Sequence, residues 1–178
     1  MESGSVRIQL DNKFAGAQTL LAKEFYGGKK DLDKFKSDAE SFVCALMPGS
    51  GSVQIKTTPG GLLYTRDSSN LQYVTSSSML LFIYSNTLTV AKVSGVQCGS
   101  AHFSATQIKS FAKSQVDYIL GSNPMKMSYM AGFGRKYPTQ MHHRAHPSPQ
   151  SKLSRQRLAA MMASLVTTFL VNQIQTHM

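Results

Sequence analysis

Residues 128–144 read Ser-Tyr-Met-Ala-Gly-Phe-Gly-Arg-Lys-Tyr-Pro-Thr-Gln-Met-His-His-Arg. Glycines, aromatics and a His-x-Arg triplet fall in one loop-like stretch. A neutral imidazole donates and accepts, while a guanidinium offers a planar fork of donors. His142 and Arg144 therefore suit a polar, oxygen-rich ligand. On residue types alone, a loop histidine and arginine bonding backbone carbonyls is the simpler account. No carboxylate accompanies them, because every acidic residue lies at or before Asp117.

The elements that must position this stretch read as helices. Residues 11–26 carry Phe14, Ala17, Leu21 and Phe25 at helical spacing, with Asp11 as a cap and Gly27-Gly28 as a stop. Residues 31–46 carry a second stripe, Leu32, Phe35, Ala39, Phe42 and Leu46, ended by Pro48-Gly49. A long Gly/Ser/Thr/Pro loop over 48–63 follows; loops of that length are functional or disordered. Residues 69–93 predict a long helix, apolar almost all round at Met79–Tyr84, as a core helix is. The pattern breaks at Val96–Gly99. Ser104-Ala-Thr-Gln107 is a capping box that opens a helix with Ile108, Phe111, Val116 and Ile119, closed by Gly121 and Asn123-Pro124. No strand alternation stands out, so the expectation is an all-α architecture. Periodicity does not separate a bundle from a helical barrel.

The chain of 178 residues is long enough for one domain with a core, and its 42% hydrophobic content is ordinary. Its net charge is +10, from scattered lysines with no run longer than Lys29-Lys30. Such a charge bears on partners rather than on fold. Residues 145–178 hold Lys152, Arg155 and Arg157 and no acid, which marks a compositional boundary. Cys44 and Cys98 could pair or stay reduced, and show no metal spacing. No cofactor or metal is expected. The N-terminus has no apolar signal-peptide core and no run is long enough for a membrane span.

Several blocks resemble glycoside hydrolase family 9, the endo-β-1,4-glucanases, and most closely the plant members. They are Asp11–Gln18, Thr58-Pro-Gly-Gly-Leu-Leu-Tyr64, Arg66–Thr75, Phe111–Gly121, Asn123-Pro-Met125 and the histidine stretch, in family order over residues 11–144. The resemblance implies an (α/α)6 barrel, here partial and incomplete at both ends, whose open cleft takes a β-1,4-glucan polysaccharide or oligosaccharide. It implies inverting hydrolysis by an aspartate base and a glutamate acid about 6.5–9.5 Å apart. Neither the Asp-Ala-Gly-Asp type block nor the Glu-bearing block is found, and Asp11 and Asp67 stand in the wrong blocks to replace them. The expectation is an inactive, truncated homologue. By the same resemblance, His142 belongs to the active-site signature and hydrogen-bonds sugar hydroxyls together with Arg144, while His143 is structural. Gln72 and Tyr73 fall in a block that lines the family's cleft; Tyr73 either stacks on a sugar or packs in the core. Tyr129 and Met130 are expected to pack.

The chain also departs from the family. Ala131 replaces a β-branched residue, Val6–Leu10 stands where an aromatic pair is usual, and there is no Trp to stack on glucose. We therefore divide the chain into a non-matching stub over 1–10, a partial catalytic domain over 11–144 and an unrelated tail over 145–178. Reading each tail codon from the third base of the one before lets Ala145–Ser148 encode Gly-Ser-Ser-Leu, makes Ala160–Ala163 encode Asp-Gly and lets Asn172–His177 encode Ser-Asn-Pro-Asn-Thr-Tyr. These segments belong to the family in that order, so a frameshifted tail is expected. The other account is a basic amphipathic helix around Leu158–Ile174.

The leading function is thus a cellulase-type hydrolase. The alternatives are a non-catalytic carbohydrate-binding remnant and a basic protein that binds an anionic polymer. No nucleic-acid motif is present and no oligomeric state follows. Family resemblance implies the cell wall, whereas the absent signal peptide implies the cytoplasm for the chain as given.

Overall fold

The computed structural model describes residues 14–51, 54–67 and 69–139. These are mostly helical. They fall into two compact units divided between Tyr118 and Ile119.

In the first unit, α1 (Phe14–Tyr26) and α2 (Asp33–Leu46) form a helical hairpin joined by a short turn with a 3-10 segment at Lys30–Leu32. Gly28 turns the chain at φ 118°, where a side chain would strain the backbone. The hairpin is tied by Gln18 Nε2 donating to Asp38 Oδ2 at 3.1 Å and by the Tyr26 hydroxyl donating to Glu40 Oε1 at 3.4 Å. Its inner face buries Ala22, Ala39, Phe42, Val43 and Leu46. Val74, Leu81 and Leu88 of α3 (Asn70–Val90), which packs against α1, are buried as well.

Helix α3 is rich in serine and threonine, yet sits largely in the core. The hydroxyls of Thr75, Ser76, Ser78, Thr87 and Thr89 donate to the carbonyl four residues back, and that of Ser85 to Phe82. Such back-bonding satisfies the polar groups within the helix. Tyr84 is fully buried, and neither its hydroxyl nor that of Ser77 has a hydrogen-bond partner among the described residues. Lys92, at φ 55°, breaks the helix line just beyond α3.

The expectation of a chain without strands needs one correction. β1 (Gly95–Cys98) and β2 (Ala101–Ser104) form an antiparallel hairpin. Gly99, at φ 61°, takes the first central place of its two-residue turn, as type II′ requires. The pattern is short: only Val96 and Cys98 point inward, with Gln97 exposed between them, so periodicity hides it. Gly95 faces the Phe103 carbonyl so closely that any Cβ would collide with it. The hairpin leads into α4 (Ala105–Ile119) through the expected capping box. Ser104 N donates to Gln107 Oε1 at 2.8 Å, and Gln107 N donates back to Ser104 Oγ at 3.3 Å. Cys44 on α2 and Cys98 on β1 form a disulfide, with Cα atoms 5.3 Å apart. It answers the pairing that the sequence left open.

The second unit continues from Ile119. Asn123 Nδ2 donates to the Met127 carbonyl at 2.8 Å, closing the turn around Pro124. Ser128 is buried: its N–H donates to Lys136 O at 2.9 Å and its hydroxyl accepts from Met130 N at 3.0 Å. Gly132 and Gly134 adopt positive φ, so the glycines of the histidine stretch serve its backbone path.

Candidate functional site

The loop before α3 is built more firmly than its composition suggests. Thr58-Pro59-Gly60-Gly61 makes a turn in which Gly61 N donates to Thr58 O at 2.8 Å. Proline suits the second place of that turn, and Gly61 at φ 93° takes the left-handed place after it. The two arms then pair, with Thr58 N on Leu62 O at 2.7 Å and Tyr64 N on Lys56 O at 2.8 Å. Gly/Ser/Thr/Pro content here marks a tight turn rather than disorder.

Two side-chain amides fix the loop. Gln115, buried on α4, accepts from Leu63 N at 2.8 Å and donates to Gly61 O at 3.1 Å. Asn70, the first residue of α3, accepts from Thr65 N at 2.9 Å and from its hydroxyl at 3.0 Å, and donates to Leu63 O at 2.8 Å. Segment 61–66 is therefore held by groups that the chain can reorient only by breaking several bonds together.

Gln72 is exposed in the first turn of α3, next to this loop. Tyr73 faces the other way and is 5% exposed. The Arg66 guanidinium lies 5.0 Å from its ring centroid, a cation–π contact that leaves Arg66 on the surface above it. Of the two roles considered for Tyr73, its burial matches packing. Tyr64 was not singled out by sequence. It is 42% exposed, and its hydroxyl donates to Asp67 Oδ1 at 2.6 Å. That bond to a carboxylate pushes the Tyr64 hydroxyl pKa upward. A Tyr and an Asp three apart in a loop fixed by asparagine was the available signal.

In the second unit, Tyr129 and Met130 are partly buried, as packing residues would be. His142 and Arg144 lie outside the described residues, as do 1–10 and the tail over 145–178. Among the described residues no cluster of His, Cys, Asp and Glu could hold a metal ion. No helix among them is long and apolar enough to cross a membrane.

Packed helices, a loop before α3 that is pinned by amides and carries exposed Tyr, Arg and Asp side chains, and an exposed Gln at the start of α3 make a helical scaffold with a polar, aromatic surface. The family model for glycosyl hydrolase family 9 matches residues 1–167, and the chain belongs to that family. This match runs further at both ends than the blocks over 11–144. The chain is 69% identical to an endoglucanase of Phaseolus vulgaris over 143 residues, which are 80% of this chain and 29% of that protein. It is 70% identical to endoglucanase 20 of Arabidopsis thaliana over 144 residues, 80% of this chain and 30% of that protein. The chain thus spans about three tenths of the length of the curated relatives it matches. Among solved structures it is similar to endoglucanase CelQ of Clostridium thermocellum complexed with cellotriose. There the TM-score is 0.56 at 34% identity, covering 73% of this chain and 19% of that one. Cellulase Cel9M of C. cellulolyticum gives 0.51 at 29% identity, with 76% and 26% coverage.

Proposed function

We propose that this chain supplies helices and a substrate-contacting loop surface of an endo-β-1,4-glucanase, a hydrolase that inverts the anomeric centre of β-1,4-glucan. The observation that carries the proposal is the identity of 69% with a plant endoglucanase across 143 residues. Helices α1 to α4 are then successive members of an (α/α)6 barrel. The loop before α3, pinned over 61–66 by two amides, lies at its cleft end.

In this reading Gln72 offers an amide that can donate to and accept from sugar hydroxyls. Tyr73 seats Arg66, whose guanidinium stays at the surface. His142 and Arg144 hydrogen-bond the sugar next to the scissile linkage, where a contact that tightens in the transition state lowers the barrier. Protonation of the leaving oxygen and activation of water need two carboxylates, and none of the matching blocks brings that pair. The 178-residue chain by itself is therefore expected to bind glucan without cleaving it.

The disulfide between Cys44 and Cys98 supports an extracellular site of action, because such bonds persist in oxidising compartments. The test combines two measurements on the chain: reducing-sugar release from carboxymethyl cellulose, and cellotetraose titration followed by NMR. Binding without release is the expected outcome. Binding that is absent at millimolar cellotetraose from a folded chain would sink the glucan reading, and release would sink the inactivity.

A further inference from the structure

Tyr64 and Asp67 are arranged as no packing requirement explains. Tyr64 is 42% exposed, so it is not a core residue. An exposed tyrosine ordinarily samples several rotamers, and ordering it costs conformational entropy. Here that freedom is restricted by a side-chain bond on a pinned backbone. The hydroxyl is held by Asp67 at 2.6 Å, and the main-chain N–H by Lys56 O at 2.8 Å. On one side Leu63 N is fixed by Gln115, and on the other Thr65 N by Asn70. A rigid aromatic face at the surface is an expensive feature for a loop and a useful one for a binding site, because a preorganised group loses little more on binding.

The surrounding groups define the ligand. An aromatic face takes an apolar, flat partner, such as the C–H face of a pyranose in the equatorial β-configuration. Asp67 is exposed, and a carboxylate has several lone-pair positions, of which Tyr64 uses one. The rest can accept a pair of sugar hydroxyls. Gln72 is exposed a short way into α3 and adds a donor and an acceptor. Stacking surface, fixed carboxylate and amide together fit a neutral sugar ring.

We propose that Tyr64 and Asp67 form a platform that stacks and orients one glucosyl unit of a bound β-1,4-glucan. This rests on the glucan reading above and adds two residues to it. Tyr64 supplies the face, and Asp67 both locks the ring and accepts sugar hydroxyls.

The test is a cellotetraose titration of the full chain by NMR, alongside Tyr64→Ala, Tyr64→Phe, Asp67→Asn, Gln72→Ala and His142→Ala, each with a thermal melt. A bound ring over an aromatic face shows upfield shifts of its axial protons. Wild-type chain should show these shifts on one glucosyl unit. Tyr64→Ala should abolish them and weaken binding about tenfold. Tyr64→Phe should keep the shifts with a loss of about threefold, because the ring stays and its lock is gone. Asp67→Asn should weaken binding by at least as much as Tyr64→Phe. If Tyr64→Ala fails to melt cooperatively, the shifts in Tyr64→Phe and the affinity of Asp67→Asn decide. Unchanged binding in the Tyr64 and Asp67 variants, with loss in Gln72→Ala or His142→Ala, overturns the platform and leaves the glucan reading standing. A folded wild-type chain that ignores cellotetraose overturns both.

Discussion

Gln115 and Leu63, separated by 52 residues, meet in a buried hydrogen bond of 2.8 Å between a side-chain oxygen and a main-chain N–H. The same amide donates to Gly61 O, so one side chain satisfies two backbone groups of the loop. Replacing it with Leu keeps the volume and leaves the Leu63 N–H without an acceptor. A stranded buried donor costs about 1–3 kcal/mol. Urea unfolding of Gln115→Leu should show a loss of that size, and a midpoint equal to wild type would mean that water replaces the amide.

Asn70 makes a different prediction, because its bonds all fall on the short segment from Leu63 to Arg66. Asn70→Ala should loosen that loop before it melts the domain. Hydrogen exchange should accelerate at Thr65 N by about tenfold or more, while core amides such as Leu81 keep their protection. Equal acceleration everywhere would make Asn70 a general stabiliser instead.

The Cys44–Cys98 bridge closes a long stretch of chain, with a sequence separation of 54. Cross-links of such loops restrict the unfolded ensemble and contribute about 2–4 kcal/mol. The double variant Cys44→Ala/Cys98→Ala, or the wild type in reductant, should lose stability of that order. A melting temperature indifferent to reductant would count against the bridge.

Tyr84 links burial to alkaline stability. Its pKa is pushed well up, first by burial and then by the neighbouring Tyr26 hydroxyl and Glu40 carboxylate. Tyr26 and Glu40 lie close enough to act on it, but neither bonds the Tyr84 hydroxyl with acceptable geometry. A tyrosine that holds its proton more tightly when folded gives stability that is intact below its unfolded pKa, about 10. That stability is lost as pH rises above this value, by up to about 1.4 kcal/mol per pH unit. Tyr84→Phe should flatten this decline between about pH 10 and 12. At neutral pH it should be neutral or stabilising by about 1 kcal/mol, since the hydroxyl it removes has no partner. A large loss at neutral pH would mean that the hydroxyl is bonded after all.

Much of the helical frame was legible because stripe and stop signals agree. The reading of 31–46 differs from α2 only by the 3-10 turn at its start, and the capping box at Ser104 forms as its sequence predicts. The long helix expected over 69–93 ends at Val90, because Lys92 adopts a left-handed conformation that composition does not announce. The strand pair was missed because it has only Val96 and Cys98 to signal it. Candidate sugar contacts were legible only through family blocks, which pointed to Gln72 and Tyr73. Only geometry separates these neighbours into an exposed amide and a buried ring. It also brings out Tyr64 and Asp67, whose meaning lies in a bond between side chains that no periodicity encodes.

The hydroxyls of α3 have a consequence for how this scaffold can change. Thr75, Ser76, Ser78, Thr87 and Thr89 have each committed their single donor to their own helix. A neighbouring helix that meets them needs no matching polar group, only a complementary contour. The sequence of that neighbour is free to drift so long as its volume is kept. At buried positions such as Ser78 and Thr87 an apolar neighbour is therefore accepted without stranding a donor.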